Sequence, residues 1–376
     1  MKYSKTTLME LSHKYGKILK KCALLNAAIL LSVAVSTQAW ATGHDVIDSD
    51  TSHPALQALS EALQTGDIDA AEKGAKSLAP TSSAQVLAIS QGVVDMLSDV
   101  ATDRTKVAGV SGGDGFKGGA MWVQGLYNHA KQGASKDTTG FKANTHGVAM
   151  GMDAKLSDAM TVGLGYAYTN TKADSFGRDT DVDGHNAFLY GQYQPSAWYA
   201  NWLMSYGYGK YKEEKEPMDV KVKAKYDVNS YAARLTSGYE FDNGFALEGG
   251  LRYLLVDQES YSDGVQRIKS DKNDVWTGMA GVRYAKAFNG DKVTWTPHAN
   301  LAMTYDFVSD GPDANVQVLG GGDYRIHGEK LHRFGVEGGA GLTMTVGAWD
   351  LSADYRGAYR KNFQSHMGML KAKYNF

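Results

Sequence analysis

The 376-residue chain has one cysteine, Cys22, so it can form no internal disulfide and offers no thiolate pair to a metal. Proline is nearly as scarce, at six residues, and long stretches therefore keep an amide donor at every position. No apolar run reaches the about twenty residues that a membrane-crossing helix needs. Lys plus Arg (39) almost cancels Asp plus Glu (41), for a formal charge of -2, and so no cationic surface argues for nucleic acid. Mean hydropathy is -0.36, which a hydropathy scan reads as soluble. A chain that touches lipid only with alternate residues gives the same reading. What is abundant is glycine (43) and tyrosine (22), with seven tryptophans.

The amino terminus reads as an address. Lys2, Lys5, Lys14, Lys17, Lys20 and Lys21 precede an apolar stretch from Cys22 to Val35, and Ala39-Trp40-Ala41 supplies an A-x-A cleavage pattern at Ala39 and Ala41. A secretory signal peptide over residues 1–41 is expected. Leu19-Lys20-Lys21 does not resemble a lipoprotein box, so lipidation of Cys22 is not expected, and its removal would leave a mature chain without a thiol.

From about Gly118 the chain becomes a series of alternating segments. Val162, Leu164, Tyr166 and Tyr168 oppose Thr161, Gly163, Gly165, Ala167 and Thr169. Trp349, Leu351, Ala353, Tyr355 and Tyr359 oppose Asp350, Ser352, Asp354, Arg356 and Arg360. The alternation predicts about twelve strands, near 118–132, 141–156, 159–172, 181–195, 197–212, 226–241, 245–261, 274–288, 293–308, 332–346, 348–362 and 364–376, each long enough to cross a bilayer when tilted. Phase is ambiguous in 118–132 and 181–195, where both faces carry aromatics. Connections alternate between tight turns, such as Asp242-Asn243-Gly244 and Gly347-Ala348, and long charged loops expected near 173–180, 213–225, 260–273 and 309–331. A small hairpin is expected over Val316 to His327, around Gly320-Gly321-Gly322.

Helical periodicity precedes the strands. Two short helices are expected over Ser52 to Leu63 and Asp67 to Leu78, broken at Thr65-Gly66. A longer one follows Pro80, with Ser82 and Gln85 as a capping box and Val86, Ile89, Val93, Leu97 and Val100 on its apolar stripe. Twelve strands about 4.8 Å apart and tilted near 40° enclose a cylinder roughly 24 Å across, with an opening on the order of 12 Å between inward side chains. A helix about 10 to 12 Å wide would fill it.

The last strand alternates to the final residue, with Leu370, Ala372, Tyr374 and Phe376 on one face, and resembles the assembly signal of bacterial outer-membrane barrels. Met121-Trp122-Val123-Gln124-Gly125, Gly147 to Asp153 and the helical run Ala71 to Arg104 are similar to the first strand, second strand and linker of autotransporter translocators, the type V secretion family. The resemblance implies an all-β transmembrane barrel of about twelve antiparallel strands, preceded by a short helical linker and a lumen-plugging helix. It implies export through the inner-membrane secretion channel, cleavage by signal peptidase, escort by periplasmic chaperones, insertion by the barrel assembly machinery, and a lipid and lipopolysaccharide surround. The expected division is 1–41 signal peptide, 42–80 short linker or vestigial passenger, 81–110 pore helix and 111–376 barrel. With only about ten residues between Ala41 and the linker, almost no passenger is expected. No asparagine lies between Asn26 and Asn128, so the autocleavage that some family members perform at an Asn-Asn pair is not expected.

Arg234, Glu240, Glu248, Arg252, Arg283, Glu337, Asp354, Arg356 and Arg360 fall opposite the Tyr and Leu stripe. An Arg on the lipid face near the midplane would cost about 2–4 kcal/mol, so these residues are expected to line the lumen. Asp95, Asp99, Asp103 and Arg104 of the long helix are expected to pair with that lining. Trp198, Trp202, Tyr239, Trp276 and Trp349 read as interfacial girdles. No histidine stands two residues before a serine, the pattern of a twelve-stranded outer-membrane phospholipase family, and His327 and His332 near Glu329 make only a weak metal pattern. Neither an enzyme nor a cofactor is expected. An open pore is the rival to a plugged translocator.

Overall fold

The computed structural model describes residues 53–79, 83–105, 119–134, 140–309, 313–319, 323–327 and 332–376. Among the described residues three helices come first: α1 (Pro54–Thr65), α2 (Ile68–Leu78) and α3 (Ser83–Thr105). His53 caps α1 by accepting from the Ala55 amide at 3.2 Å, and Gly66, at φ 77°, ends it in the left-handed conformation that glycine tolerates best. Asp67 then caps α2 by accepting from the Ala70 amide at 3.1 Å. Among the described residues no helix is long and apolar enough to cross a membrane.

Strands follow: β1 (Gly119–Gln132), β2 (Phe141–Ser157), β3 (Met160–Ser175), β4 (Arg178–Tyr193), β5 (Trp198–Lys215), β6 (Val222–Glu240) and β7 (Phe245–Gln258). Next come β8 (Tyr261–Ser262), β9 (Gln266–Ile268), β10 (Asp271–Ala285), β11 (Phe288–Asn289), β12 (Thr294–Ser309), β13 (Asp313–Val318) and β14 (Asp323–His327). The chain ends with β15 (Phe334–Val346), β16 (Trp349–Arg360) and β17 (Phe363–Asn375).

Twelve of these form one closed antiparallel barrel. Each pairs with its neighbour in sequence, β10 pairs with β12 across the intervening turn, and β17 pairs with β1 from Asn375↔Ala120 to Phe363↔Gln132. Closure leaves no edge strand, so no ladder of amides and carbonyls faces hydrocarbon. The outward face carries Met121, Val148, Leu164, Leu189, Leu235, Leu301 and Leu370, all exposed. An apolar surface of that extent is the mark of a wall bathed in lipid. Trp198, Tyr193, Phe245, Trp295, Trp349 and Tyr374 ring its tight-turn end, while Tyr168, Tyr206, Tyr231, Trp276, Phe307 and Tyr359 ring the other. Tight turns mark the periplasmic end in this class of barrel.

Several connections differ from expectation. Residues 173–180 are the ends of β3 and β4, paired as far as Ser175↔Arg178, with only Phe176 and Gly177 between them. Residues 213–225 are mostly the ends of β5 and β6, paired as far as Lys215↔Val222 around a single 3₁₀ turn at Pro217–Asp219. Charge marks these stretches as hydrated, and a two-stranded ribbon standing in water satisfies its backbone as well as a loop does. The 260–273 stretch supplies β8 and β9, which join β13 and the expected hairpin strand β14 in a separate four-stranded sheet. Ser82 lies outside the described residues.

Candidate functional site: a helix encircled by the barrel wall

Side chains of α3 meet strands from around the whole circuit. Leu97 packs with Trp122 of β1, Ala149 of β2, Ala167 of β3, Phe188 and Tyr190 of β4, and Leu203 of β5. Met96 packs with Leu126 of β1 and with Met367 and Met369 of β17. Val86 and Ile89 sit in a further cluster with Val182, Tyr211, Val228 and Leu254. A single apolar stripe does not describe such a helix. Gln85 to Ser90 are all buried, because the wall surrounds the helix instead of flanking it.

The polar side of α3 is narrower and specific. Gln91, Asp95 and Asp99 are spaced by four residues, which places them in one row along the helix. Asp95 accepts from Arg252 of β7, and Asp99 pairs with Arg356 of β16. With its amide oxygen turned to the guanidinium groups, Gln91 accepts from Arg252 at 2.8 Å and Arg360 at 3.1 Å. Arg252 also lies 3.7 Å from Glu337 of β15 and 3.5 Å from Thr277, whose hydroxyl donates to Asp306 at 2.7 Å. Arg360 completes the group on Asp306, with its second nitrogen at 3.3 Å. A cavity of about 40 Å³ remains beside Gln91, Asp95, Asp99, Arg234, Glu337 and Arg356. That is room for a few waters, not for a passing solute.

Toward the periplasmic end a second polar group lines the wall. Arg283 lies 3.2 Å from Glu248 and 3.4 Å from Glu240, and its guanidinium sits 5.3 Å from the Tyr199 ring centre. The Tyr199 hydroxyl donates to Glu248. His298 meets Asp354 at 2.6 Å. Arg234 is half-buried, with a guanidinium nitrogen 3.3 Å from the Met279 sulfur. All nine charged residues singled out in the sequence thus stand on the inward face of their strands. The structure gathers them into two groups, with Asp354 and Arg356 bridging the interval along β16.

Leu370, Tyr374 and Phe376 are exposed on the outer face, and Ala372 lies between them opposite Val123 of β1. The backbone of Phe376 still reaches the wall, donating to the Gly119 carbonyl at 2.9 Å. Ala39 and Ala41 lie outside the described residues, as do the side chains of Asp103 and Arg104, those of His327, and Glu329. Among the described residues no group of three His, Cys, Asp or Glu is placed to hold a metal.

Sequence alternation alone missed the inward aromatics. Trp122, Phe188 and Tyr190 face the lumen, the Trp122 ring nitrogen donating to the Tyr190 hydroxyl at 2.9 Å and that hydroxyl donating to Asp153 at 3.1 Å. A signal was present on the neighbouring strand. Trp122 lies over Gly151 and Phe188 over Gly165, where an added Cβ would fall 2.6 Å and 2.3 Å from the ring atoms. Glycine opposite an aromatic in register is the space such a ring needs. Gln91 and Asp306, which complete the lumen group, were not singled out from the sequence.

Comparison with known proteins agrees with this architecture. The autotransporter β-domain family model matches residues 121–356. The chain belongs to the autotransporter family, and its barrel is an integral outer-membrane domain. Among curated relatives, outer membrane protein B of Rickettsia prowazekii is 26% identical over 311 residues, 74% of this chain and 18% of that protein. Outer membrane protein A of Rickettsia conorii is 23% identical over 283 residues, 68% of this chain and 14% of that protein. The chain therefore spans less than a fifth of the length of these relatives. Among solved structures, the translocator domain of the autotransporter NalP from Neisseria meningitidis superposes with a TM-score of 0.60 at 19% identity, covering 75% of this chain and 96% of that one. The β-domain of the Bordetella autotransporter BrkA gives 0.55 at 20% identity, over 69% of this chain and 100% of that one.

Proposed function

We propose that the chain anchors in the outer membrane as a translocator, exports the segment that precedes α3 to the cell surface, and retains α3 in the lumen as a plug. The observation that carries this reading is the seating of α3: Asp95 and Asp99 pair with arginines of two different walls while Leu97 and Met96 fill the other side. An open conduit has no use for a helix so closely matched to its lining, and a chain threaded outward ends in this arrangement. α3 runs from its start near the long-loop end toward the periplasmic start of β1, which leaves α1 and α2 at the outer mouth.

On this reading residues 1–41 are a signal peptide, 42–80 the short helical linker or vestigial passenger, 81–110 the plug and 111–376 the barrel. Leu370, Ala372, Tyr374 and Phe376 serve as the signal read by the barrel assembly machinery after escort by periplasmic chaperones. The role of the chain is transport and anchoring, with no catalytic centre and no cofactor. Single-channel recording tests the plug: the full chain in a planar bilayer is expected to hold a closed baseline, and a chain lacking 84–105 to conduct steadily. A full chain that conducts as well as the deletion would make it a pore.

A further inference from the structure

The outer mouth holds a buried charge cluster that the lumen does not use. Arg178 begins β4, Glu213 and Lys215 end β5, Asp263 lies on the connection from β8 to β9 and Gln266 begins β9, all of them buried. Lys215 Nζ stands 2.7 Å from Asp263 and 3.8 Å from Glu213, and Arg178 stands 3.1 Å from Glu213. Two cations and two carboxylates cancel, yet the donors have hydrogens to spare, and these converge on one object. Lys215 donates to the Leu78 carbonyl at 2.9 Å, Gln266 donates to the same oxygen, and Arg178 donates to the Ala79 carbonyl. The last carbonyls of a helix lack partners within it and carry the negative end of its dipole, so a buried ammonium and guanidinium are their complement.

The hairpin above this cluster is docked as well as tethered. Leu56, Leu59, Leu63, Ala71 and Leu78 pack with Val222, Val265 and Val318 of the outer ribbons. Met218, held at φ 52°, reaches Gly74 so closely that a Cβ there would fall 2.5 Å from its sulfur.

The polar row of α3 alone does not fix how far the helix has advanced. Gln91, Asp95 and Asp99 repeat a polar group every four residues, and a slip of about 6 Å would offer the arginines the next member of the row. The mouth cluster does not repeat. We propose that Arg178, Lys215 and Gln266 form a binding site for the carbonyl end of a helix, occupied by α2 of the same chain, and that this site arrests the exported chain with Leu78 at the mouth. The arrest rests on the export reading; the binding site does not.

The test uses the full chain carrying Lys215→Met with Asp263→Asn, which removes a cation together with its nearest carboxylate and leaves no orphaned charge. Heat-modifiable gel mobility establishes that the barrel has formed. Amide exchange across α2 is expected to quicken roughly tenfold or more, the scale of losing charge-assisted hydrogen bonds, with the barrel strands unchanged. Unaltered α2 protection would overturn the site. For the arrest, Ala88→Cys, Gly92→Cys or Met96→Cys is paired with Asn128→Cys: the chain with Lys215→Met and Asp263→Asn is expected to link position 88 or 96 as well as 92, and linkage confined to 92 would overturn it. An epitope ahead of Pro54, probed on intact cells expressing the unsubstituted chain, tests export separately, since its absence would defeat export and arrest while the exchange result still decides the site.

Discussion

Arg252 shows most clearly how single residues hold the lumen together. Its guanidinium serves Asp95 of the helix and Glu337 of the wall while it is itself 2% exposed. Arg252→Met would leave two buried carboxylates without their partner, and a loss of about 3–5 kcal/mol is expected. The temperature at which the heat-modifiable form is lost should fall sharply, and Asp95→Asn in the same chain should restore part of it. Gly165→Ala tests the aromatic lining in a different way. The new methyl would meet the Phe188 ring at 2.3 Å, so overpacking of about 1–3 kcal/mol is expected by the same assay. A neutral outcome would mean that Phe188 has another place to go. The sequence showed the charged residues because charge has only one tolerable side of a wall facing lipid. It did not show the aromatics, because a ring is tolerated on both.

Among the elements, the strands were the most legible. Lipid on one side and a filled lumen on the other force alternation along every membrane-crossing segment, and the twelve expected segments match the twelve barrel strands within a few residues at most ends. Outside the membrane that constraint lapses, which is why the β3–β4 and β5–β6 ribbons read as loops. The β5–β6 ribbon carries cross-strand charge pairs. Glu214 stands opposite Lys223 at 2.9 Å, with Lys221 at 3.7 Å, and the Lys223 hydrogen bond holds its carboxyl below the usual carboxylate range. A carboxyl depressed in the folded state stabilises above its ordinary pKa and ceases to do so as pH falls through the depressed value. Amide protection at the tip of the β5–β6 ribbon, corrected for intrinsic exchange, should therefore drop as pH falls below the ordinary glutamate pKa of about 4.3. In a Glu214→Gln chain that drop should vanish. The helix α3 was legible in length and position, but the burial of its whole circumference was not, because the surfaces that cover it come from strands as far away in sequence as the β17 residues Met367 and Met369, about 270 residues beyond Met96.

At the scale of the molecule, barrel and helix are complementary solutions to one problem. Twelve tilted strands close the sheet and bury every ladder group, but they enclose a channel. The helix fills that channel with Leu97 and Met96 on one side and Gln91, Asp95 and Asp99 on the other. Cutting back β17 by removing Leu370 to Phe376 should prevent closure against β1, because the Ala120↔Asn375 to Gly125↔Leu370 ladder would be lost. Outer-membrane fractions should then lack the heat-modifiable form.

The most direct test of the seated helix is a covalent one. The chain's single cysteine is Cys22, so new thiols are unambiguous once it is replaced by serine. A Cβ at Gly92 would stand 3.5 Å from the Asn128 side chain across the lumen gap. With Gly92→Cys and Asn128→Cys in the full chain, oxidation of outer-membrane fractions should yield the 92–128 disulfide, identified as a linked peptide by mass spectrometry. Barrels that fold and show heat-modifiable mobility, yet never form that link, would place the helix elsewhere and contradict the account.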